Sequence, residues 1–422
     1  MGLFDAGSST EKWFGQRDAK LFVPKILLVS VLLLQSVTVL GRGPALDPET
    51  GLMRILYIGD CYGNSPFLYL SREPLFKTTP LPASTHEQTY TVQEMQRHMR
   101  LYMPRSFEGH ATKHDIILLS DTGIALYKPD HLMWFKRGVI ERGQGIMMVG
   151  GYQSFGGNPP EPSWAGSSVE DVLPVACLDA NIWEGWFVPV PTDENHPFCT
   201  ALEWGWVQPF LGLNIVRTKD AAVEVLSPSS RSAHGPLLVY WDVGEGSGLA
   251  HMPDLTPGWG KFFMLWEHYA DYIANMFYLL ARLEVPQDIS LMHAVRASLH
   301  EYFEERSLII SLMEFVGRFG ADPGPLEERM IDIDRMKKSA DIMYSEQKYV
   351  PVLQAMDEIS DAVFELNVEA MKLKERALMW VYVIEWLAIT GTLIFSGFLI
   401  WSLMIHRKFY REVEYTKLTY KT

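Results

Sequence analysis

The chain has 422 residues, of which 48% are hydrophobic and 12% aromatic, and its formal net charge is −14. This length exceeds one typical domain, and the composition is typical of a globular domain joined to membrane segments. Because phosphate contacts need clustered Lys and Arg, the acidic balance argues against a nucleic-acid partner.

The cysteines are Cys61, Cys177 and Cys199. So few cysteines exclude a disulfide scaffold, and their spacing leaves no C-x-x-C metal motif. We predict neither a metal site nor a cofactor, and we expect Cys61 to be a small buried apolar residue. If the domain is extracytoplasmic, a disulfide between Cys177 and Cys199 remains an alternative to two free thiols.

The N-terminal region has the pattern of a membrane anchor. Residues 1–20 are polar, and the largely apolar residues 21–41 that follow are long enough to cross a bilayer. No clear A-x-A cleavage site follows, so we predict an uncleaved signal anchor or transmembrane helix rather than a removed signal peptide. The positive charges before the apolar run place the N-terminus in the cytoplasm.

From residue 53 to residue 285, short apolar runs alternate with helical patterns. The predicted strands are Ile55–Ile58, Ile116–Ser120 and Ile146–Val149, and the predicted helices are Val92–Met103 and one that ends near Arg142. This alternation predicts a doubly wound parallel sheet.

The second half of this domain is less regular. Asn158–Trp206 is rich in Pro, Trp and Gly, and we expect an irregular insertion with short strands that forms a lid over the carboxyl edge of the sheet or a partner surface. Its tryptophans either fill a core or bind a partner. Leu237–Trp241 and Gly248–Met252 are predicted to form a hairpin, and Lys261–Leu283 an amphipathic helix.

Helical periodicity dominates after residue 286. We predict helices at residues 288–319, 326–349 and 351–376, with a Gly- and Pro-rich stop at Gly320–Pro325 between the first two. Together they form a helical stalk at residues 286–376. The apolar positions of the third helix are Val352, Met356, Ile359, Val363, Leu366 and Ala370.

A transmembrane helix is predicted at residues 377–405, which are almost uninterruptedly apolar. Trp380, Trp386 and Trp401 have the positions of interfacial anchors, and Glu385 lies near one edge. The basic tail at residues 406–422 is predicted to be cytoplasmic. Two spans then leave both termini in the cytoplasm and the large domain outside the plasma membrane.

The centre of the sequence is the strand Ile146–Val149 and the turn after it, where Gly150 and Gly151 allow a sharp bend. In open α/β sheets, ligands bind at this carboxyl end of the strands. The turn is one of a series of motifs in consistent order: RILYIGD from Arg54, DIILLSDTG from Asp115, MVGGYQSFGG from Met148, VEDVLPV from Val169, HPF from His196, LGLN from Leu211, PLLV from Pro236 and DLTPGWG from Asp254.

Over roughly residues 53–282, this series resembles the putative glutamine amidotransferase family, a branch of the class I glutamine amidotransferase-like fold. The resemblance implies a flavodoxin-like arrangement of the doubly wound sheet. In class I enzymes the turn is Gly-x-Cys-x-Gly and holds a thiolate nucleophile, whereas here Tyr152 occupies the position of the cysteine. Gly258 stands where the family tends to have a His, so we predict no catalytic residue.

We predict a degenerate pocket at this edge of the sheet, made by Asp60, Cys61, Asp121, Gly150, Gly151, Tyr152, Gln153, Ser154, His251 and Asp254. The aspartates are placed to bind a polar ligand, or simply to form turns. Ser154 has half of a G-x-S-x-G motif, and His251 with Asp254 has the pattern of a general base.

These patterns favour a membrane-anchored, non-catalytic binding or scaffolding module. Its expected partners are the lipid bilayer and other membrane protein subunits or further copies of the chain. The alternatives are a hydrolase or amidotransferase with a rearranged site, and a small-molecule sensor that uses the ancestral pocket.

Overall fold

The computed structural model describes residues 43–61, 65–83, 90–159 and 161–418. The strands are β1 (Met53–Gly59), β2 (Phe76–Pro82), β3 (Ile116–Ser120), β4 (Gly145–Val149), β5 (Val175–Phe187), β6 (Pro189–Pro191), β7 (Phe210–Thr218), β8 (Val223–Pro228), β9 (Leu238–Val243) and β10 (Gly246–His251). The α-helices are α1 (Pro66–Arg72), α2 (Val92–Tyr102), α3 (Phe107–Ala111), α4 (Pro129–Arg142), α5 (Pro197–Thr200), α6 (Tyr269–Leu280), α7 (Ile289–Arg318), α8 (Gly324–Ser345) and α9 (Tyr349–Leu418). The predicted N-terminal span at residues 21–41 lies outside the described residues.

The chain divides into two compact units. The α/β unit contains the described residues up to Phe67, with Lys77–Tyr269 and Asn275–Val285. The helical unit contains Leu68–Phe76, Ala270–Ala274 and the described residues from Pro286 onwards.

The α/β unit is built on an eight-stranded sheet in the order β2-β1-β3-β4-β10-β9-β8-β6. Strands β1, β3, β4 and β10 are parallel, while β9, β8 and β6 continue the sheet in antiparallel fashion. The predicted parallel sheet is therefore confirmed at its centre, and the outer strands make the whole sheet mixed.

Strand β4 lies in the interior of the sheet, between β3 and β10, and its residues are apolar or Gly. Every residue of β3 and β4 is buried, as expected for near-continuous apolar strands that are covered on both faces. Helix α4 ends at Gly143, whose φ of 72° is left-handed, and the chain then enters β4 directly. The carboxyl ends of β3, β4 and β10 therefore meet at one edge, with the Gly150 turn in the middle.

The predicted hairpin is present as β9 and β10, which pair in antiparallel register from Leu238 opposite His251 to Val243 opposite Gly246. The prediction of an irregular insertion at Asn158–Trp206 was wrong in part. This segment contains the long strand β5, which pairs with β7 as a separate two-stranded sheet. Because β7 lies beyond the insertion in sequence, local pattern could not reveal the pairing.

The predicted helix Lys261–Leu283 was wrong at its beginning. A short 3₁₀ turn covers Phe263–Leu265, Trp266 is extended with φ −68° and ψ 130°, and α6 begins only at Tyr269. Ring packing favours this break, because Phe263 stacks on Phe210 with centroids 4.0 Å apart.

The helical unit follows the predicted periodicity closely. Helix α7 ends just before the predicted stop, where Gly320 has a φ of 78°. The apolar positions predicted for the third helix are all buried, namely Val352, Met356, Ile359, Val363, Leu366 and Ala370. They pack where α9 contacts α7 and α8.

Helix α9 does not end where a separate stalk helix was predicted to end. It runs unbroken from Tyr349 to Leu418, since neither Pro nor Gly occurs at residues 352–390. Among the described residues, it is the one helix long and apolar enough to cross a membrane, by length and composition only. Its apolar window has a mean hydropathy of 1.9, and none of that window is buried within the protein.

Candidate functional site

The turn after β4 requires glycine at two successive positions. A Cβ at Gly150 would lie 1.8 Å from the carbonyl oxygen of Met252. A Cβ at Gly151 would lie 2.2 Å from Cγ of Asp121, and Gly151 has a φ of 143°. The Gly150 N–H donates to the carbonyl of His251 at 2.8 Å, which ties the turn to β10. The backbone is therefore held in a shape that other residues cannot adopt.

Asn214 holds the turn from the other side. Its Oδ1 accepts the N–H of Gly151 at 2.9 Å, and its Nδ2 donates to the carbonyl of Gly151 at 3.0 Å. Asn214 is almost wholly buried on β7. We did not predict this residue as part of the site, although it ends the LGLN motif. Its position depends on a long-range contact, because its backbone N–H donates to the carbonyl of Met252 at 3.1 Å.

Tyr152, at the position of the cysteine in class I enzymes, is held in a small polar cluster. Its hydroxyl donates a hydrogen bond to Oε1 of Glu184, and Nε1 of Trp259 donates to the same oxygen at 3.2 Å. The tyrosine and Trp259 rings lie 5.2 Å apart. The hydrogen bond to Glu184, followed by burial, raises the pKa of Tyr152. The phenol therefore stays protonated at neutral pH, and sequence reasoning missed both of its partners.

Ser154 is buried, and its hydroxyl donates to the carbonyl of Val149 at 2.6 Å. A nucleophilic serine or cysteine at a strand-to-helix turn is activated by a helix N-terminus or an adjacent base. Residues 150–159 are all described, and they form turns rather than a helix. Ser154 therefore has the geometry of a structural hydroxyl.

Asp121 lies at the end of β3 with a left-handed φ of 41°. Its Oδ1 accepts the backbone N–H of Gln153 at 2.7 Å, which joins two neighbouring strand ends. Burial, together with the charge of Asp254, raises the pKa of Asp121 from 3.8 to about 8. Asp121 therefore carries a proton over most of the neutral range.

Asp254 and His251 follow β10 and have structural contacts of their own. The carboxylate of Asp254 accepts the N–H and the hydroxyl of Thr256, which is the pattern of an Asp-initiated turn. His251 is fully buried, and its Nδ1 lies 2.9 Å from the carbonyl oxygen of Pro253. Burial lowers the pKa of His251 to about 3, so the imidazole is neutral. It has the environment of a core histidine rather than of a general base.

The cysteines lack the environment of a reactive thiol. Cys61 is half-buried, with its Sγ 3.6 Å from the carbonyl oxygen of Gly59, and the neighbouring Asp60 is buried. Burial raises the pKa of Cys61 to about 12. Cys177 and Cys199 are free and buried, and burial raises the pKa of each to about 12.

The tryptophans of the insertion differ in their burial. Trp164 is fully buried, and its Nε1 donates to the carbonyl of Gln153 at 3.0 Å. Trp186 is 64% exposed and stacks on Phe262, and Trp206 is 91% exposed. The insertion thus supplies both core and surface aromatics.

The structure brings the predicted residues of the turn together with Asp121, but it leaves them without an activated nucleophile. Gln153 is buried behind the turn, and its N–H is taken by Asp121. The hydroxyls of Tyr152 and Ser154 both donate hydrogen bonds, and burial keeps the thiol of Cys61 protonated. The polar groups of the turn are thus engaged by other groups of the protein.

Comparison with known proteins agrees with the resemblance seen in the sequence. Residues 76–282 match the family described as putative glutamine amidotransferase. No curated protein matches the chain significantly.

Several solved structures are similar to part of the chain. Two cytoplasmic proteins from Salmonella typhimurium are 24% and 23% identical, with TM-scores of 0.45, and the match covers 54% of this chain and 99% of theirs. A GH42 β-galactosidase from G. stearothermophilus is 8% identical with a TM-score of 0.31, over 54% of this chain and 30% of the enzyme. Likeness at this level says nothing about the activity of the chain.

Proposed function

We propose that this chain, whose residues 76–282 form a domain of the putative glutamine amidotransferase family, uses that domain to bind rather than to catalyse. In this proposal the domain is a scaffolding module held at a membrane within an assembly of membrane proteins. The observation that carries the non-catalytic part is the state of Tyr152, because its hydroxyl is engaged by Glu184 where the family fold would present a nucleophile.

The fold proposed for the α/β unit is doubly wound and flavodoxin-like. The strand order β2-β1-β3-β4-β10 follows the 2-1-3-4-5 order of that fold, with β10 as the fifth strand. This order supports a ligand position at the carboxyl edge, close to the Gly150 turn.

The membrane part of the proposal is supported by the exposed half of α9. After Ala377 its side chains are no longer buried, and large apolar residues face outwards up to Met404. Uncovered apolar surface of this extent needs a partner, and lipid meets that need along a whole helix. We propose that the basic tail after residue 405 is cytoplasmic and that the α/β unit is outside the plasma membrane.

Glutamine hydrolysis by the full chain and by Tyr152→Cys tests the non-catalytic assignment. We expect glutamate release at background for both proteins, because residues 150–159 form no helix whose N-terminus would lower the pKa of a thiol at this turn. Tyr152→Ser is the control for the loss of the phenol. Turnover by the wild-type chain that Tyr152→Phe abolishes would contradict the proposal.

Mild detergent extraction tests the membrane assignment. We expect the full chain to sediment with membranes after alkaline carbonate treatment and to emerge from detergent with a defined set of membrane subunits, identified by sizing and mass spectrometry. Recovery of the chain in the soluble fraction would overturn the anchor. Recovery as a lone monomer would overturn the scaffold.

A further inference from the structure

A cavity of about 590 Å³ lies in the α/β unit, beside the beginning of α4. Its walls come from the second half of α2, the loop after that helix, the 3₁₀ turn Ile124–Leu126 and the first turn of α4. The volume lies in the range of sites that hold small molecules. Helix α4 follows β3, so its first turn lies towards the carboxyl edge of the sheet, where ligands of α/β folds bind.

The rim of this cavity is strongly basic. Arg100, Arg105 and Lys128 line it with exposed side chains, and Asp130 is the acidic residue among them. Within the described part of the chain, none of the three cations forms a hydrogen bond or an ion pair. Some other arginines of this unit are paired, as Arg54 is with Asp115 and Arg137 with Glu141. Three neighbouring cations without a protein anion favour an anionic ligand.

The wall of the cavity contains an unsatisfied polar side chain. His131 lines the cavity and is 8% exposed, and its Nδ1 is buried with no hydrogen-bond partner among the described residues. Burial is the main reason that the pKa of His131 is lowered, with the nearby charge of Lys128 contributing. A neutral imidazole offers one N–H donor and one acceptor. A buried group of this kind is normally paired, so this nitrogen is an exception in the wall of the cavity.

The helix and the apolar wall complete the site. No side chain caps the N-terminus of α4, where Lys128 is the N-cap and Pro129 follows, so the positive end of the helix dipole faces the same region. Trp134, half-buried, lies with its ring 5.5 Å from that of His131. Met99 and Met103 add buried apolar surface.

We propose that this cavity binds a small organic oxyanion, with its phosphate or carboxylate group against Arg100, Arg105 and Lys128 and its apolar part against Trp134. This inference goes beyond the proposed function and does not rest on it, since the cavity is lined by none of the residues of the Gly150 turn.

The test uses the full chain in detergent and measures the binding of inorganic phosphate, phenyl phosphate and benzoate by calorimetry at low salt. We expect phenyl phosphate to bind more tightly than phosphate. Arg100→Ala, Arg105→Ala and Lys128→Ala should each weaken phenyl phosphate binding by about fivefold or more, because each removes a charge-assisted contact. Comparison of benzoate with phenyl phosphate distinguishes a carboxylate ligand from a phosphate ligand.

Two further variants separate this site from general surface charge. Arg97→Ala removes an exposed cation from the same helix, away from the cavity lining, and should change affinity less than twofold. Trp134→Ala should weaken phenyl phosphate binding and leave phosphate binding unchanged. Equal effects of Arg97→Ala and Arg100→Ala, or no measurable binding of any of the three probes at millimolar concentration, would overturn the proposal.

Discussion

Two regions of the α/β unit lie towards the carboxyl edge of its sheet. They differ in whether their polar groups have partners within the protein. In the Gly150 turn, the polar groups are satisfied by the protein itself, as Gly151 is by Asn214 and Tyr152 is by Glu184. In the cavity beside α4, Arg100 forms no ion pair and Nδ1 of His131 has no hydrogen-bond partner among the described residues. The turn therefore has the paired polar groups of a structural element, whereas the cavity has polar groups that can bind a ligand.

The largest change in stability should come from Asn214→Leu, in the Gly150 turn. The substitution leaves the N–H and the carbonyl of Gly151 buried and unpaired, and each such group costs about 1–3 kcal/mol. We therefore expect the free energy of unfolding to fall by roughly 2–6 kcal/mol, measured by urea denaturation in detergent. Asn195→Ala, at an exposed asparagine of the same unit, should leave the midpoint unchanged. A denaturation midpoint equal to that of the wild type would mean that the stability of the turn does not depend on Asn214.

A smaller effect, dependent on pH, is expected at Asp121. Its pKa is about 8 in the folded chain and 3.8 as an ordinary carboxyl, so the folded state retains the proton longer than the unfolded state. The stability from this group is complete below pH 3.8 and declines as pH rises towards 8.

Asp121→Asn should remove that decline. Asparagine keeps an acceptor for the Gln153 N–H and tolerates the left-handed φ. At pH 8 the variant should have a higher unfolding free energy than the wild type, with little difference near pH 4. Urea denaturation at both pH values gives the comparison, with Asp130→Asn, at an exposed carboxyl, as the control. A difference that stays constant with pH would exclude titration of Asp121 as its cause.

The smallest effect on stability should come from the cavity. Arg100→Ala, Arg105→Ala and Lys128→Ala remove exposed side chains that form no ion pair among the described residues, so the denaturation midpoint should not move measurably. The same variants should still lose affinity for phenyl phosphate. If they instead destabilise the chain without a change in binding, the contrast between the two regions would disappear.

Much of the fold was predictable because it depends on local pattern. Strand Ile116–Ser120 was predicted with its observed bounds, and the buried positions from Val352 to Ala370 followed from helical spacing. Glycines and prolines identified the turn after β4 and the end of α7. The C-terminal helix was divided in two because its composition changes at residue 377, although nothing in the sequence breaks it there.

The site was harder to predict because its partners come from distant parts of the chain. Asn214 reaches Gly151 from β7, and Glu184 reaches Tyr152 from β5, a strand that local pattern did not reveal. The basic residues of the cavity come from α2, from the loop after it and from the N-terminus of α4. Strand β3 separates these elements in the sequence. Charges on separate amphipathic helices give no sign in the sequence that they share a cavity.

The continuity of α9 determines the length that its apolar part spans. At about 1.5 Å per residue, the 21-residue step from Trp380 to Trp401 spans roughly 32 Å, close to the hydrocarbon thickness of a bilayer of about 30 Å. No proline or glycine separates this step from the part of the helix that packs against α7 and α8. The helix therefore continues without a break from its packed part into a length of apolar surface that matches a bilayer.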